Sequence, residues 1–491
     1  MNAATAFTVV VLPPGVAIVV ALVSSRARAA EWSNLLAAVV CAIAAVGLVV
    51  VTGRGGAEVT LGGYLLLDAL AGWAILCVAL VYLLASIYSI GYIRHEIEPR
   101  RLGRFYALFA GFALTMFLAP AMNHPGLYWI AIELTTLVST FLVGFHRTRE
   151  GTEAAWKYII IVSAGISLAL LGTMLMYWAG TFELGPRYDM TWAVLHQAAG
   201  HGNPLIMSLA FLLILVGYGT KVGLAPMHTW LPDAHSQGPT PVSAMLSGAL
   251  LNTAMVGIVR SLSILDATGR GTLGHGGLVL LGIVSLLAAA FLIVRQTDVK
   301  RLMAYSSVEH MGVIALGFGF GGPLGIAAAL YHMVGHSLNK SLMFFGAGNA
   351  ARACGGNDMT RMGNLLHRLP TSGGVWLAGA VAITGAPPFA LFLSEFNTLR
   401  AGLRAGYAGV VAAVLVLLVV IFVGFLNHFR GMALEQGESE GEAEPVSRWC
   451  LVPMWLALIP LVVLGLWWPT SLTRVFHVVA QGLGTMTGGG S

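Results

Sequence analysis

In the stretch ALYHMVGHSLNKSLMFFGAGN, from Ala329 to Asn349, His332, His336 and Lys340 recur at every fourth residue inside an apolar run. Residues spaced i, i+4, i+8 drift by only about 40° per step around a helix, so the three side chains form one stripe about 12 Å long. Imidazole titrates near neutrality, and a lysine taken out of water can be brought down toward the same range. Such a stripe can pass protons, with waters filling the gaps. Two other readings stay open. A His pair at i, i+4 can grip zinc, although HMVGH lacks the glutamate of an H-E-x-x-H motif and shows no third ligand nearby. The pair can also be a purely structural hydrogen-bonded one.

Other protonatable groups lie in equally apolar surroundings: Glu133 in YWIAIELTTLVSTFL, Lys221 in GYGTKVGLAPMHTWLP, His310 in SSVEHMG and Glu395 in ITGAPPFALFLSEF. An ionised side chain at the centre of a membrane helix costs about 2.5 to 3.5 kcal/mol on insertion scales, so each needs a partner or a wet path. Glu133 has no basic neighbour on its own helix, and Lys221 is its expected partner. Held together, the two favour each other's charged forms; drawn apart, desolvation releases the lysine's proton. A fixed buried ion pair is the alternative. Of the four lysines, Lys157, Lys221 and Lys340 fall within predicted helices, whereas arginine fills the loops. Lysine can give up its proton on desolvation and arginine in practice cannot, so the pattern favours proton handling. Lys157 is counted with the proton relay on this ground, although, near the start of its helix, it can instead snorkel to an interface.

The elements that must hold these groups are membrane helices. Hydrophobic residues make up 57% of the 491 and charged residues 10%, with mean hydropathy +0.82, outside the range of soluble globular chains. Apolar segments of about 20 residues recur from end to end, which predicts an all-α polytopic membrane protein of about fourteen transmembrane helices. Barrel strands would be segments of about 10 residues with alternating polarity, and none is seen. The first apolar run, Thr5 to Val23, lacks a basic leader and a clear cleavage site, and reads as a retained helix. With the N-terminus outside, the inner loops hold sixteen basic residues and the outer loops seven, which favours both termini outside. The pI near 9.1 therefore reflects orientation rather than nucleic-acid binding, since the basic residues are scattered. Cys41, Cys77, Cys354 and Cys450 are isolated, which argues against iron–sulfur clusters, structural zinc and a disulfide framework.

Proline interrupts two apolar segments, at Pro226 just after Lys221 and at Pro387 and Pro388 just before Glu395. Paired broken helices mark internally repeated transporters. The expected layout is N-terminal helices over 1–104, two inverted five-helix repeats over 105–265 and 275–430, and a last segment, 431–491. That segment opens on an acidic inner loop, Glu435 to Glu444, with a solvating role.

The blocks GTKVGLAPMHTWLPDAHSQGPTPVSAMLSG, DVKRLMAYSSVEHMG, HMVGHSLNKSLMFFGAGN and GAPPFALFLSEF resemble the antiporter-like membrane subunits of complex I and of Mrp-type cation/proton antiporters. SSVEHMG together with LSEF looks most like the F-type membrane component of hydrogenase-4 assemblies. The resemblance implies a proton-translocating subunit driven by redox chemistry elsewhere in its complex. It implies no cofactor or metal in this chain, and partners carrying Fe–S clusters and a NiFe or quinone site. By position, Glu133 and Lys221 would load the channel, His310, His332, His336 and Lys340 would form the central relay, and Glu395 the exit. One departure stands out: Asn252 occupies a place on the eighth helix where many relatives carry lysine, so water would have to bridge it. The chain also lacks the long lateral extension of the most distal complex I subunit, and resembles a middle or proximal module.

Two other functions remain in view. A sodium/proton antiporter would use oxygen ligands, for which the sequence offers Asp68, Glu133 and Glu395. A non-conducting membrane scaffold would keep the charges as ion pairs, its path disconnected at Asn252. A freestanding enzyme finds no support, since no nucleotide loop, metal cluster or nucleophile triad is visible.

Overall fold

The computed structural model describes residues 2–24, 26–200, 202–437 and 445–485. Helices dominate. The chain opens with α1 (Ala3–Val23) and α2 (Ala27–Thr52), then a short antiparallel ribbon pairing Glu58–Thr60 with Leu65–Leu67, then α3 (Ala69–Glu96). There follow α4 (Leu102–Leu118), α5 (Pro125–Val143), α6 (Arg149–Leu184), the short α7 (Trp192–Ala199), α8 (Pro204–Val222), α9 (Trp230–Gln237), α10 (Thr240–Met245) and α11 (Leu251–Ala267). The remainder comprises α12 (Gly271–Val294), α13 (Val299–Phe320), α14 (Gly322–Cys354), α15 (Leu365–Arg368), α16 (Pro370–Ile383), α17 (Ala390–Arg404), α18 (Ala408–Leu434), α19 (Arg448–Leu466) and α20 (Thr470–Thr485).

Among the described residues, eleven helices are long and apolar enough to cross a membrane. The about fourteen expected from sequence also include α13 and α14, of 22 and 33 residues, whose polar groups lower their hydropathy, and the interrupted pair α16 and α17. Large apolar side chains stand exposed along α1, α2, α6, α18 and α19, among them Leu12, Ile43, Ile160, Val416 and Ile459. That pattern suits a lipid-facing surface, where no water penalises them.

Polar and titratable residues concentrate on the inner helices. On α14 every residue from Ala328 to Ala351 is buried. It packs on α3, where Trp73 Nε1 donates to the Leu330 carbonyl at 2.9 Å and the Tyr88 ring stacks on Phe345 at 4.3 Å. These contacts clamp the helix that carries His332, His336 and Lys340.

Four placements differ from the sequence expectation. Lys157 is about half exposed and pairs with Glu153 at 2.7 Å and with Asp233 at 3.3 Å. Lys300, counted with the loops, is buried in the first turn of α13 and donates to the Gly238 carbonyl at 3.2 Å. Arg260, also counted with the loops, is buried within α11. It forms a two-pronged ion pair with Asp68, at 2.8 and 2.9 Å, while Asp68 also caps α3 by accepting from the Ala71 amide. Asp68 is thereby occupied twice over, which removes it from the carboxylates free to bind a cation. The acidic segment begins with Glu435, which pairs with Arg430 at 3.0 Å, but residues 438–444 lie outside the described residues.

Candidate functional site

The first break places Lys221. Its helix, α8, stops at Val222, and Gly223 at φ +81° turns the chain where a Cβ would strike the Leu231 side chain. Ending a helix inside a membrane frees carbonyls and amides that need new partners. Here Trp230 Nε1 donates to the Thr220 carbonyl at 2.8 Å, the Leu224 amide to the Gly219 carbonyl at 3.0 Å, and the Ala225 amide to Ser285 Oγ at 2.9 Å. Lys221 thus sits in the last turn of α8, where the helix dipole favours a cation.

Its partners are hydroxyls. Lys221 Nζ donates to Thr136 Oγ1 at 2.8 Å and to Tyr158 Oη at 2.7 Å, and Tyr158 Oη lies 2.7 Å from Ser139 Oγ. The expected direct pairing with Glu133 is replaced by this arrangement, and no ion pair joins the two among the described residues. Glu133 lies one helical turn before Thr136 on α5; its Oε1 accepts from Ser163 Oγ at 2.7 Å and its Oε2 is buried without a partner. Sequence spacing cannot reveal Tyr158 or Thr136, because both reach Lys221 from other helices.

Between this group and α14 lies Asn252. The run from α10 to α11 widens into a π-helical turn over Leu246–Leu250, immediately before Asn252. Such turns often re-aim side chains at functional sites. Asn252 Nδ2 lies within hydrogen-bond distance of the Gly248 and Met333 carbonyls, both 3.2 Å away, and of Ser337 Oγ at 3.0 Å. Its Oδ1 is buried and unpartnered. Ser247 Oγ and Ser307 Oγ add a second hydroxyl contact at 2.7 Å. Gly248 lets α11's entry pack closely on α3 and α14, since a Cβ would come 3.0 Å from Val81 Cγ2 and 3.1 Å from the Ser337 carbonyl oxygen.

The second cluster joins α13, α14 and α17. His310 Nδ1 lies 3.0 Å from His332 Nε2, and His332 Nδ1 lies 2.9 Å from Ser394 Oγ. The His336 ring stands 5.6 Å from that of His310, and both of its nitrogens are buried without partners. Lys340 Nζ donates to Ser306 Oγ and to the Met303 carbonyl, both on α13. Glu309, next to His310, was not singled out by sequence reasoning. It is fully buried with one oxygen unpartnered, and it lies within the electrostatic reach of both Lys340 and Glu395. Its position beside His310 in an otherwise apolar run was the available signal.

The second break places Glu395. Gly385, at φ +66°, closes the turn after α16, and a Cβ there would collide with Glu395 Oε2. Glu395 Oε1 is buried without a partner. The carboxylate also supplies what spacing alone does not show near the histidines, a third metal-type ligand: donor atoms of His310, His332 and Glu395 all lie within 4.8 Å of one another. The cysteines are buried and separate.

Buried amines, imidazoles and carboxylates arranged between interrupted membrane helices define a class, the antiporter-like ion-translocation subunits. The family model described as NADH:quinone oxidoreductase/Mrp antiporter, transmembrane, matches residues 123–421, and the chain belongs to that family. It is 36% identical over 422 residues to a Hydrogenase-4 component F homolog of Methylacidiphilum infernorum, covering 85% of this chain and 88% of the relative. It is 30% identical over 397 residues to NADH-quinone oxidoreductase subunit N of Halorhodospira halophila, covering 79% and 78%. In fold it is similar to a chain of the Mrp complex from Dietzia, with a TM-score of 0.88 over 98% of this chain and 97% of that one, at 18% identity.

Proposed function

We propose that this chain is a proton-translocating membrane subunit of a multisubunit hydrogenase-type or respiratory oxidoreductase, with no redox centre of its own. The carrying observation is the pair of fully buried imidazoles, His310 and His332, in direct contact beside Glu395, whose Oε1 is buried without a partner. Burying such groups without fixed counter-charges is costly and suits groups that exchange protons.

In this reading Glu133 takes up the proton and Lys221 holds it against Thr136 and Tyr158. Asn252, with Ser337, carries a water-bridged step to His336. His332, His310, Lys340 and Glu309 distribute the proton across the second half, and Glu395 delivers it. Lys157 serves only at the surface. The two halves, 105–265 and 275–430, would be inverted repeats. Each places a carboxylate on its second helix, Glu133 on α5 and Glu309 on α13, and an ionisable group beside its break, Lys221 and Glu395.

The same reading puts the chain in a prokaryotic cytoplasmic membrane with both termini outside. With Arg260 and Lys300 set aside as buried, the loop count becomes fifteen basic residues inside against six outside. Its partners would be other antiporter-like and small membrane subunits and a peripheral arm carrying Fe–S clusters with a NiFe or quinone site, as the relatedness to a hydrogenase-4 component homolog and to an NADH-quinone oxidoreductase subunit supports.

The test is redox-driven proton uptake by the purified complex in proteoliposomes. Lys221→Met should abolish uptake while the complex assembles; unchanged uptake would overturn the reading. Transport that requires sodium would instead favour the antiporter, which the Arg260–Asp68 pair already deprives of one carboxylate.

A further inference from the structure

A lipid-facing groove of about 460 Å³ lies where the N-terminal ends of α4 and α6 meet the C-terminal end of α5, far in sequence from the second cluster. Its apolar floor includes Leu137, Phe141 and Trp156, the last two 67% and 62% exposed. Its rim carries three arginines, Arg101, Arg104 and Arg147. Arg101 is anchored, donating to the Phe145 carbonyl and lying 4.7 Å over the Phe145 ring. Arg104 and Arg147 are exposed and make no ion pair among the described residues. Nearby Glu153 does not line the groove and is engaged by Lys157.

We infer that this groove binds an anionic phospholipid. A site with unpaired guanidiniums at one end and an open hydrocarbon trough at the other asks for a ligand with both characters in one molecule. A phosphate headgroup accepts from the planar forks of Arg104 and Arg147. An acyl chain lies along Leu137, Phe141 and Trp156, with the Trp156 indole at the boundary between hydrocarbon and headgroup. Basic pockets between membrane helices are a general means of holding such lipids. Phosphate alone would leave the aromatic floor unfilled, and a zwitterionic lipid would bring its own cation to the arginines.

Lipid binding can be read directly, without a transport assay. A photo-reactive benzoylphenylalanine placed at Phe141 in the intact complex, irradiated in native membranes, should yield an adduct whose mass is that of an anionic phospholipid, enriched at least ten-fold over its bulk ratio to zwitterionic lipid. Arg104→Gln with Arg147→Gln should lower that adduct at least five-fold. Where the double variant fails to assemble, the unsubstituted arginines are tested by reconstituting the photo-reactive complex into phosphatidylcholine vesicles with and without phosphatidylglycerol; the adduct should then carry phosphatidylglycerol. A zwitterionic adduct at the bulk ratio, an adduct to a neighbouring protein subunit, or no adduct would each overturn the inference.

Discussion

His310 Nδ1 and His332 Nε2 stand 3.0 Å apart, so one ring must donate and the other accept when a single proton lies between them. Ser394 Oγ, 2.9 Å from His332 Nδ1, fixes the face that His332 presents. Replacing His332 by Gln keeps a polar side chain of similar reach but removes the titratable ring. Proton uptake should fall at least ten-fold with assembly retained, measured by fluorescence quenching in proteoliposomes against unchanged electron transfer from an artificial donor.

Tyr158 is the group that sequence reasoning did not find. Tyr158→Phe removes one of two hydroxyls holding Lys221 and leaves a buried donor underused, at a cost of about 1–3 kcal/mol. The variant should melt at a lower temperature than the parent and pump less. Its defect should be smaller than that of Lys221→Met, since Thr136 still accepts from the amine.

Asn252 decides between a conductor and a scaffold. Asn252→Leu replaces the amide that reaches Ser337 with an apolar side chain. If protons cross from the first half to the second here, stoichiometry per electron should drop to a tenth or less. Full stoichiometry would favour the scaffold reading.

Gly385→Ala tests the second break. The residue sits at φ +66° and its added methyl would meet the Glu395 carboxylate. Left-handed backbone for a non-glycine residue costs about 1–3 kcal/mol, so the yield of intact complex should fall, as read by size-exclusion fluorescence.

Lys157→Gln is the control. The side chain is about half exposed and pairs with the exposed Glu153 and the half-buried Asp233, which Arg301 also holds, and ion pairs of an exposed lysine contribute little. Uptake and melting temperature should match the parent. A loss comparable to that of Lys221→Met would return Lys157 to the relay.

The stripe of His332, His336 and Lys340 and the two proline breaks beside Lys221 and Glu395 were legible in the sequence because helical spacing and local chemistry encode them. Contacts between helices were not. Thr136 and Tyr158 meet Lys221 from α5 and α6, Arg260 finds Asp68 across 192 residues, and Glu395 closes on the two histidines from α17. Loop boundaries misled in a different way. Lys300 and Arg260 border polar segments in the chain yet are covered in space by neighbouring helices, while Lys157 lies within a helix yet points outward.

The helix α14 runs unbroken for 33 residues, which corresponds to about 50 Å at 1.5 Å per residue and exceeds the hydrocarbon thickness of a bilayer. Clamped by α3 and without a break, it holds His332, His336 and Lys340 at fixed helical intervals. A rod of fixed rungs cannot act as its own valve. A valve would then fall to what borders it, the interrupted segments beside Lys221 and Glu395 and the π-helical turn before Asn252, where the regular α-helical hydrogen bonding is broken.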